Sequence, residues 1–121
     1  MEQKKVCVVG LGYIGLPTAA LLASVGFNVI GVDVDSHVVE TINQGRIHIV
    51  EPDLAEFVRS AVAVGQLKAY TKPHAADIYM VCVPTPFYGG EVIPRPNVEY
   101  VMAATRSIAA LVKPGDSVIL E

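Results

Sequence analysis

Three glycines, Gly10, Gly12 and Gly15, stand at GxGxxG spacing behind the apolar run Val6-Cys7-Val8-Val9. Eighteen positions after the last of them, Asp33 closes a second apolar run, Asn28-Val29-Ile30-Gly31-Val32. In that arrangement Gly10 lets the chain turn sharply off a strand and Gly12, lacking a Cβ, lets a phosphate approach the backbone. Gly15 lets the following helix pack closely on the strand. The unpaired N–H groups and the positive dipole end of that helix suit a dianionic pyrophosphate. Asp33 is placed to accept hydrogen bonds from an adenosine ribose. The chemistry is dinucleotide binding, and the carboxylate favours NAD over NADP, because it accepts from a 2′-hydroxyl and repels a 2′-phosphate. No arginine follows closely to reverse that preference. FAD satisfies the same glycine spacing, whereas an S-adenosylmethionine site has no pyrophosphate and no need of it.

Other reactive side chains carry less. Cys7 and Cys82 each sit inside an apolar strand pattern and read as reduced core thiols. A nucleophile needs a polar, partly exposed setting that lowers its pKa. His37, His48 and His74 lack metal-site spacing and read as surface or loop histidines. Glu51, Asp53 and Glu56 could suggest acid–base work. A helix starting at about Asp53 explains them more simply, with Asp53 as its cap and Glu56 completing a capping-box-like pair. Thr85, held between Pro84 and Pro86, is a candidate ligand on the rim of the glycine loop; the alternative is a rigid turn with Thr85 merely exposed.

The elements that must position these residues follow from periodicity and punctuation. Val6–Val9 reads as a fully buried parallel strand. A helix follows from about Ile14 to Ser24, with Pro17 in its first turn and Gly26 ending it. Its residues 19–23 are apolar nearly all round, as in a helix pressed on a sheet and shielded from outside. Ser36 to Asn43 is a short helix stopped by Gly45. After the irregular stretch Arg46–Pro52, a helix spans about Asp53 to Val64, then an edge-type strand Leu67–Tyr70 and a buried strand Ile78–Val83. Asn97 caps a last helix, in which Val98, Val101, Met102, Thr105, Ile108, Leu111 and Val112 form the stripe expected to face the sheet. Ser117–Leu120 begins another strand, expected to be buried. The fold class is α/β, a Rossmann-like doubly wound and mostly parallel sheet in strand order 3-2-1-4-5.

Length and composition set the limits. The chain has 121 residues, 52% of them hydrophobic, enough for one core and too few for a cofactor domain plus a full substrate domain. A formal charge of −3 with no Lys/Arg cluster argues against a nucleic-acid partner. Lys4 and Lys5 precede the uncharged run Val6–Phe27, long enough on paper to span a bilayer. Its glycines and Pro17 fall where a strand–turn–helix needs them, so a cytoplasmic protein is expected and not a membrane one. An apolar strand ending at Glu121 suggests a fragment of a longer protein.

Three ordered motifs go beyond a generic fingerprint: Gly10-Leu-Gly-Tyr-Ile-Gly-Leu-Pro-Thr-Ala-Ala20, Glu51-Pro-Asp-Leu54 and Val83-Pro-Thr-Pro-Phe87. With them the whole chain resembles the UDP-glucose/GDP-mannose dehydrogenase family, and Ile47-His-Ile-Val-Glu-Pro-Asp-Leu54 makes it most similar to UDP-N-acetyl-D-mannosamine dehydrogenases. The resemblance implies that residues 1–121 are the N-terminal NAD-binding domain of an enzyme oxidising the C6 alcohol of a UDP-sugar to a carboxylate. Two NAD are reduced in succession, in surface polysaccharide biosynthesis. It places the pyrophosphate at the Tyr13 and Ile14 amides, the ribose at Asp33 and a cofactor contact at Thr85; where some relatives have a basic residue against adenosine, this chain has Val38. The family's nucleophilic cysteine and its helpers belong to later parts, so neither Cys7 nor Cys82 inherits that role and no catalytic or metal-binding residue is assigned here. The fragment alone is expected to be inactive, and the full-length enzyme a homo-oligomer. The competing readings are a stand-alone NAD- or FAD-binding regulatory or redox-sensing module, and a dehydrogenase for UDP-glucose or UDP-N-acetylglucosamine.

Overall fold

The structure is a computed structural model, and it describes residues 3–84 and 98–121. Thr85 and Asn97 therefore lie outside the described residues. The elements run β1 (Lys5–Val9), α1 (Gly15–Ser24), β2 (Asn28–Val32), α2 (Ser36–Asn43), α3 (Leu54–Ala63), β3 (Leu67–Tyr70), β4 (Ile78–Val81), α4 (Glu99–Ala109) and β5 (Ser117–Leu120). The strands form one sheet in the order β3-β2-β1-β4-β5, as expected, and every pairing in it is parallel.

β1 is central because, after the exposed Lys5 at its start, Val6 to Val9 are all apolar and buried. It pairs Val6 with Val29 on one side and with Ile78 on the other. Its side chains alternate between two cores, as the two-residue period of a strand requires. Val6 and Val8 point into a core completed by Leu16, Ala19 and Ala23 of α1, Val38 and Ile42 of α2, and Val58 and Ala61 of α3. Cys7 and Val9 point the other way, into a smaller core with Tyr79, Val81 and, from α4, Ala104 and Ile108. Tyr79 is wholly buried, and its hydroxyl is satisfied by accepting from Ala76 N–H (3.0 Å) and donating to the Leu111 carbonyl (3.3 Å).

The helix stops fall at the expected glycines. Gly26 (φ 106°) and Gly45 (φ 76°) both take the left-handed conformation that ends a helix. The uncharged run Val6–Phe27 divides into a five-residue strand, the glycine turn and the ten-residue α1, and no helix among the described residues is long and apolar enough to cross a membrane.

Three expectations are corrected. Asp53 does occupy the N-cap position of α3, but at φ 64° its side chain makes no capping bond, and Glu56 pairs instead with Arg59 one turn on. A side-chain cap needs an extended backbone at that residue, and the turn after Pro52 does not supply it. Of the stripe expected on the last helix, Ile108 is buried and Leu111 and Val112 pack on the same core, but Ala104, outside the stripe, is the other buried residue of α4, whereas Val98 and Met102 are about half exposed. Adjacent stripes overlap on this helix, and the one containing the small Ala104 lies on the sheet. β5 is exposed along its length, with Leu120 at 66%, because it is an edge strand on which little of any described helix packs, unlike the other edge, β3, whose Leu67 and Ala69 are buried beside α2 and α3.

Candidate cofactor site

The sheet order creates the site. From central β1 the chain goes to β2 on one side, and the later strand β4 pairs on the other, so a crevice opens beyond the carboxyl ends where the order reverses. A cleft of about 650 Å³ lies there. Gly10, Gly12, Tyr13 and Ile14 line it from the turn after β1, Asp33 and Val34 from the end of β2, and Cys82, Val83 and Pro84 from the end of β4. Tyr100, Ala103 and Ser107 of α4 and Glu121 after β5 close its far side.

Each glycine meets a different constraint. Gly10 has φ 99°, and its N–H donates to the Val32 carbonyl at 2.7 Å. A Cβ there would lie 2.8 Å from the Cys82 carbonyl oxygen, so Gly10 is clamped between the ends of β2 and β4. A Cβ on Gly15 would fall 1.7 Å from the Gly10 carbonyl oxygen, which means that α1 starts against the turn itself. A Cβ on Gly12 would have nothing within 4 Å: that flank is open to the cleft. The first two glycines therefore build the turn, and the third leaves backbone accessible. The N-cap position of α1 is Ile14, with no side-chain capping bond and no acidic residue in the first turn, so no carboxylate of the helix competes for the dipole.

Asp33 is held by backbone at three points. Its Oδ2 accepts from Leu11 N–H at 3.1 Å, its Oδ1 accepts from Asp35 N–H at 3.0 Å, and its own N–H donates to the Tyr70 carbonyl at 3.1 Å. The carboxylate is thus tied to the glycine turn before any ligand arrives, and Asp33 lines the cleft.

The supporting residues here escaped the sequence reading. Leu11 is fully buried, and a Cβ on Gly31 would come within 3.1 Å of its Cδ1. Gly31, the glycine inside the second strand, makes room for that leucine; an isolated strand glycine was the available signal. Asp35 caps α2 by accepting from His37 N–H at 2.9 Å, in the extended conformation that Asp53 lacks.

Of the sequence-predicted residues, Gly10, Gly12, Tyr13, Ile14 and Asp33 open on the one cleft, and Gly15 lies beneath the turn. The cysteines belong to neighbouring strands but opposite cores. Burial pushes the Cys7 thiol up to about 11. Burial, then the hydrogen bond and the charge of Glu121, push Cys82 up to about 12. Neither is a thiolate near neutrality. Among the described residues no three His, Cys, Asp or Glu side chains gather as a metal site. The open backbone at Gly12 and the braced carboxylate at Asp33 fit a dinucleotide, a pyrophosphate against the turn and a ribose hydroxyl against Asp33.

Comparison with known proteins agrees. Residues 4–121 match the UDP-glucose/GDP-mannose dehydrogenase family, NAD binding domain. The chain is 55% identical over its whole length to an NDP-N-acetyl-D-galactosaminuronic acid dehydrogenase of Ralstonia nicotianae and to a UDP-N-acetyl-D-mannosamine dehydrogenase of Yersinia pestis, in each case covering 28% of the relative. The structure of a UDP-N-acetyl-mannosamine dehydrogenase from Staphylococcus aureus superposes with a TM-score of 0.93 at 38% identity, over 97% of this chain and 28% of that one. The chain thus spans little more than a quarter of the length of the relatives it matches. Family match, topology and glycine turn converge: this chain belongs to the UDP-glucose/GDP-mannose dehydrogenase family, of which it is an NAD-binding domain.

Proposed function

We propose that residues 1–121 serve as the N-terminal cofactor domain of a longer nucleotide-sugar 6-dehydrogenase, which converts UDP-N-acetyl-D-mannosamine to the corresponding uronate for surface polysaccharide. The observation that carries the reading is the single cleft shared by Gly12 and Asp33. In it, the backbone at Gly12, Tyr13 and Ile14 receives the pyrophosphate, and Asp33 receives the adenosine ribose. Gly10 and Gly15 hold the turn in shape, and Thr85, just past the described end of the β4 rim, adds a contact. NAD, when bound, supplies the hydride acceptor. The chain's own work is to bind and orient it.

The raised pKa values of Cys7 and Cys82 support the view that the nucleophile lies elsewhere in the full-length enzyme. The protein acts in the cytoplasm and assembles with copies of itself. A relative equally identical to this chain is named for an N-acetyl-D-galactosaminuronic acid, which makes the galactosamine epimer the second substrate to try.

The test is a panel of UDP-N-acetylmannosamine, UDP-N-acetylgalactosamine, UDP-N-acetylglucosamine and UDP-glucose, followed by NADH absorbance. The full-length enzyme is expected to turn over the first fastest. Residues 1–121 alone are expected to bind NAD weakly and reduce none. Turnover by the isolated domain, or NAD binding with no oxidation of any UDP-sugar by the full-length protein, would overturn the proposal.

A further inference from the structure

Among the described helices α1 alone carries no charged residue. The others turn exposed charges outward, Glu40 on α2, Glu56 and Arg59 on α3 and Arg106 on α4, as a helix facing water requires. On α1 the row turned away from the sheet is Ile14, Pro17, Leu21 and Val25, at i, i+3, i+7 and i+11 from the N-cap to the C-cap. Ile14, Leu21 and Val25 are each more than half exposed, with Leu21 at 60%.

This row borders a groove. Pro17 and Leu21 form one wall of a cavity of about 190 Å³, and Pro52, Leu54 and Phe57, at the start of α3, form the other. Leu54 is buried and Phe57 is about half exposed. The walls are fixed relative to each other, since Leu16 and Ala19 of α1 and Leu54 and Val58 of α3 share one buried core. The groove also adjoins the cofactor cleft: Ile14 lines the cleft, and Pro17, three residues further along the same row, lines the groove.

An apolar surface of this kind marks a contact with other protein. Two occupants have the right chemistry, a second copy of the chain and a later part of the same polypeptide. A stable interface between separate proteins takes about 20–30 residues a side, and the row and groove together supply far fewer. A segment tethered by the chain itself needs no such area, because the tether holds it at high local concentration. This chain spans 28% of the relatives it matches. The function proposed above, on which this inference rests, requires a later part of the enzyme to bring the substrate up to the cleft, where the row ends. We propose that the α1 row and the groove between α1 and α3 seat a segment of the full-length polypeptide beyond residue 121, whose apolar side chains fill the groove. Seated there, the segment abuts the cofactor cleft.

Site-specific labelling of the full-length protein tests the cover. Leu21→Cys and, as the reference, Glu40→Cys on the charged face of α2 are treated with a maleimide, and each site is quantified by mass spectrometry; Cys7 and Cys82 are buried. Leu21→Cys is expected to react about tenfold more slowly than Glu40→Cys or slower still, and equal rates overturn the inference. A second measurement identifies the occupant and puts an aromatic ring in place of an aromatic ring. With p-benzoylphenylalanine replacing Phe57, irradiation of the full-length protein should give a product that runs as a monomer on a denaturing gel and joins residue 57 to a peptide beyond residue 121. A cross-linked dimer, or no product with a peptide beyond residue 121, overturns the proposal. Failure of the underlying function is separately visible. A protein that oxidises UDP-sugars and labels Leu21→Cys rapidly keeps that function and loses this inference; one that protects Leu21→Cys and oxidises none does the reverse.

Discussion

Replacing Asp33 by alanine separates a ribose-binding carboxylate from one that merely braces a turn. In the structure both of its oxygens already accept from backbone, Leu11 N–H at 3.1 Å and Asp35 N–H at 3.0 Å. A bound ribose would add hydrogen bonds to a charged acceptor, worth about 1.5–3 kcal/mol. At about 1.4 kcal/mol per tenfold, NAD affinity should fall between about tenfold and 140-fold. NADP should lose far less, because the same substitution removes a charge that repels its 2′-phosphate. Alanine also strands the Leu11 and Asp35 amides, so some of the loss could come through the turn. Asp33→Asn distinguishes the routes, since its amide oxygen still accepts one of those bonds while the charge is gone. Calorimetric titration of the full-length protein with NAD and NADP, beside a thermal melt of each variant, reads both quantities. If the alanine variant holds NAD within twofold of wild type and keeps its preference over NADP, Asp33 does not bind the ribose.

The glycine pair gives an opposed result: Gly15→Ala drives a Cβ to 1.7 Å from the Gly10 carbonyl oxygen and should cost at least about 3 kcal/mol of stability in denaturant unfolding. Gly12→Ala meets nothing within 4 Å, so stability should stay within about 0.5 kcal/mol while NAD affinity drops more than tenfold. The cysteines predict an alkaline weakness. Their folded pKa values, about 11 and 12, lie above the 9.0 of a free thiol, so their contribution is intact below about pH 9 and is lost as pH rises through the folded values. The melting temperature should fall above pH 9, and less steeply in Cys7→Ala; native iodoacetamide labelling at pH 8 should be far slower than labelling in denaturant. Finally, Asp53→Gly should be neutral or stabilising by up to about 1 kcal/mol, since glycine accepts φ 64° without the penalty an L side chain meets. A side-chain cap at that position would predict the opposite sign.

Most of the scaffold was legible because its signals are local. Val6–Val9 and Asn28–Val32 are short apolar runs bounded by glycine or aspartate, and in a sheet covered on both faces a strand has that composition. Gly26 and Gly45 end helices because they sit where a positive φ is needed. Strand order followed from connection rules once the alternation was read. What stayed hidden depends on contacts between distant residues. An apolar Ser117–Leu120 has the same sequence whether a helix covers it or, as here, it forms an exposed edge. On and just beyond α4, Val101-Ala104-Ile108-Leu111 and Val98-Met102-Thr105 are neighbouring stripes, and only the sheet decides between them. Asp53 and Asp35 have the same residue type ahead of a helix, and the backbone angle, not the type, makes Asp35 the cap.

The site shows the same division with a consequence for mechanism. GxGxxG spacing identifies three glycines, yet it does not say that Gly10 and Gly15 are constrained by neighbouring protein atoms and Gly12 by none among the described residues. A position that tolerates a Cβ on structural grounds and still carries glycine in the open wall of a cleft is under pressure from what enters the cleft. Asp33 has the complementary property. Its bond to Leu11, twenty-two residues away, ties the end of β2 to the turn after β1, so the acid and the open backbone cannot move independently. Leu11 in turn is seated by the space at Gly31. The strand glycine therefore governs the distance between the open backbone at Gly12 and the Asp33 carboxylate. Gly31→Ala, pressing on Leu11 at 3.1 Å, should weaken NAD binding even though residue 31 touches no ligand, and a restored affinity in the double variant Gly31→Ala with Leu11→Val would show that the spacing was the cause.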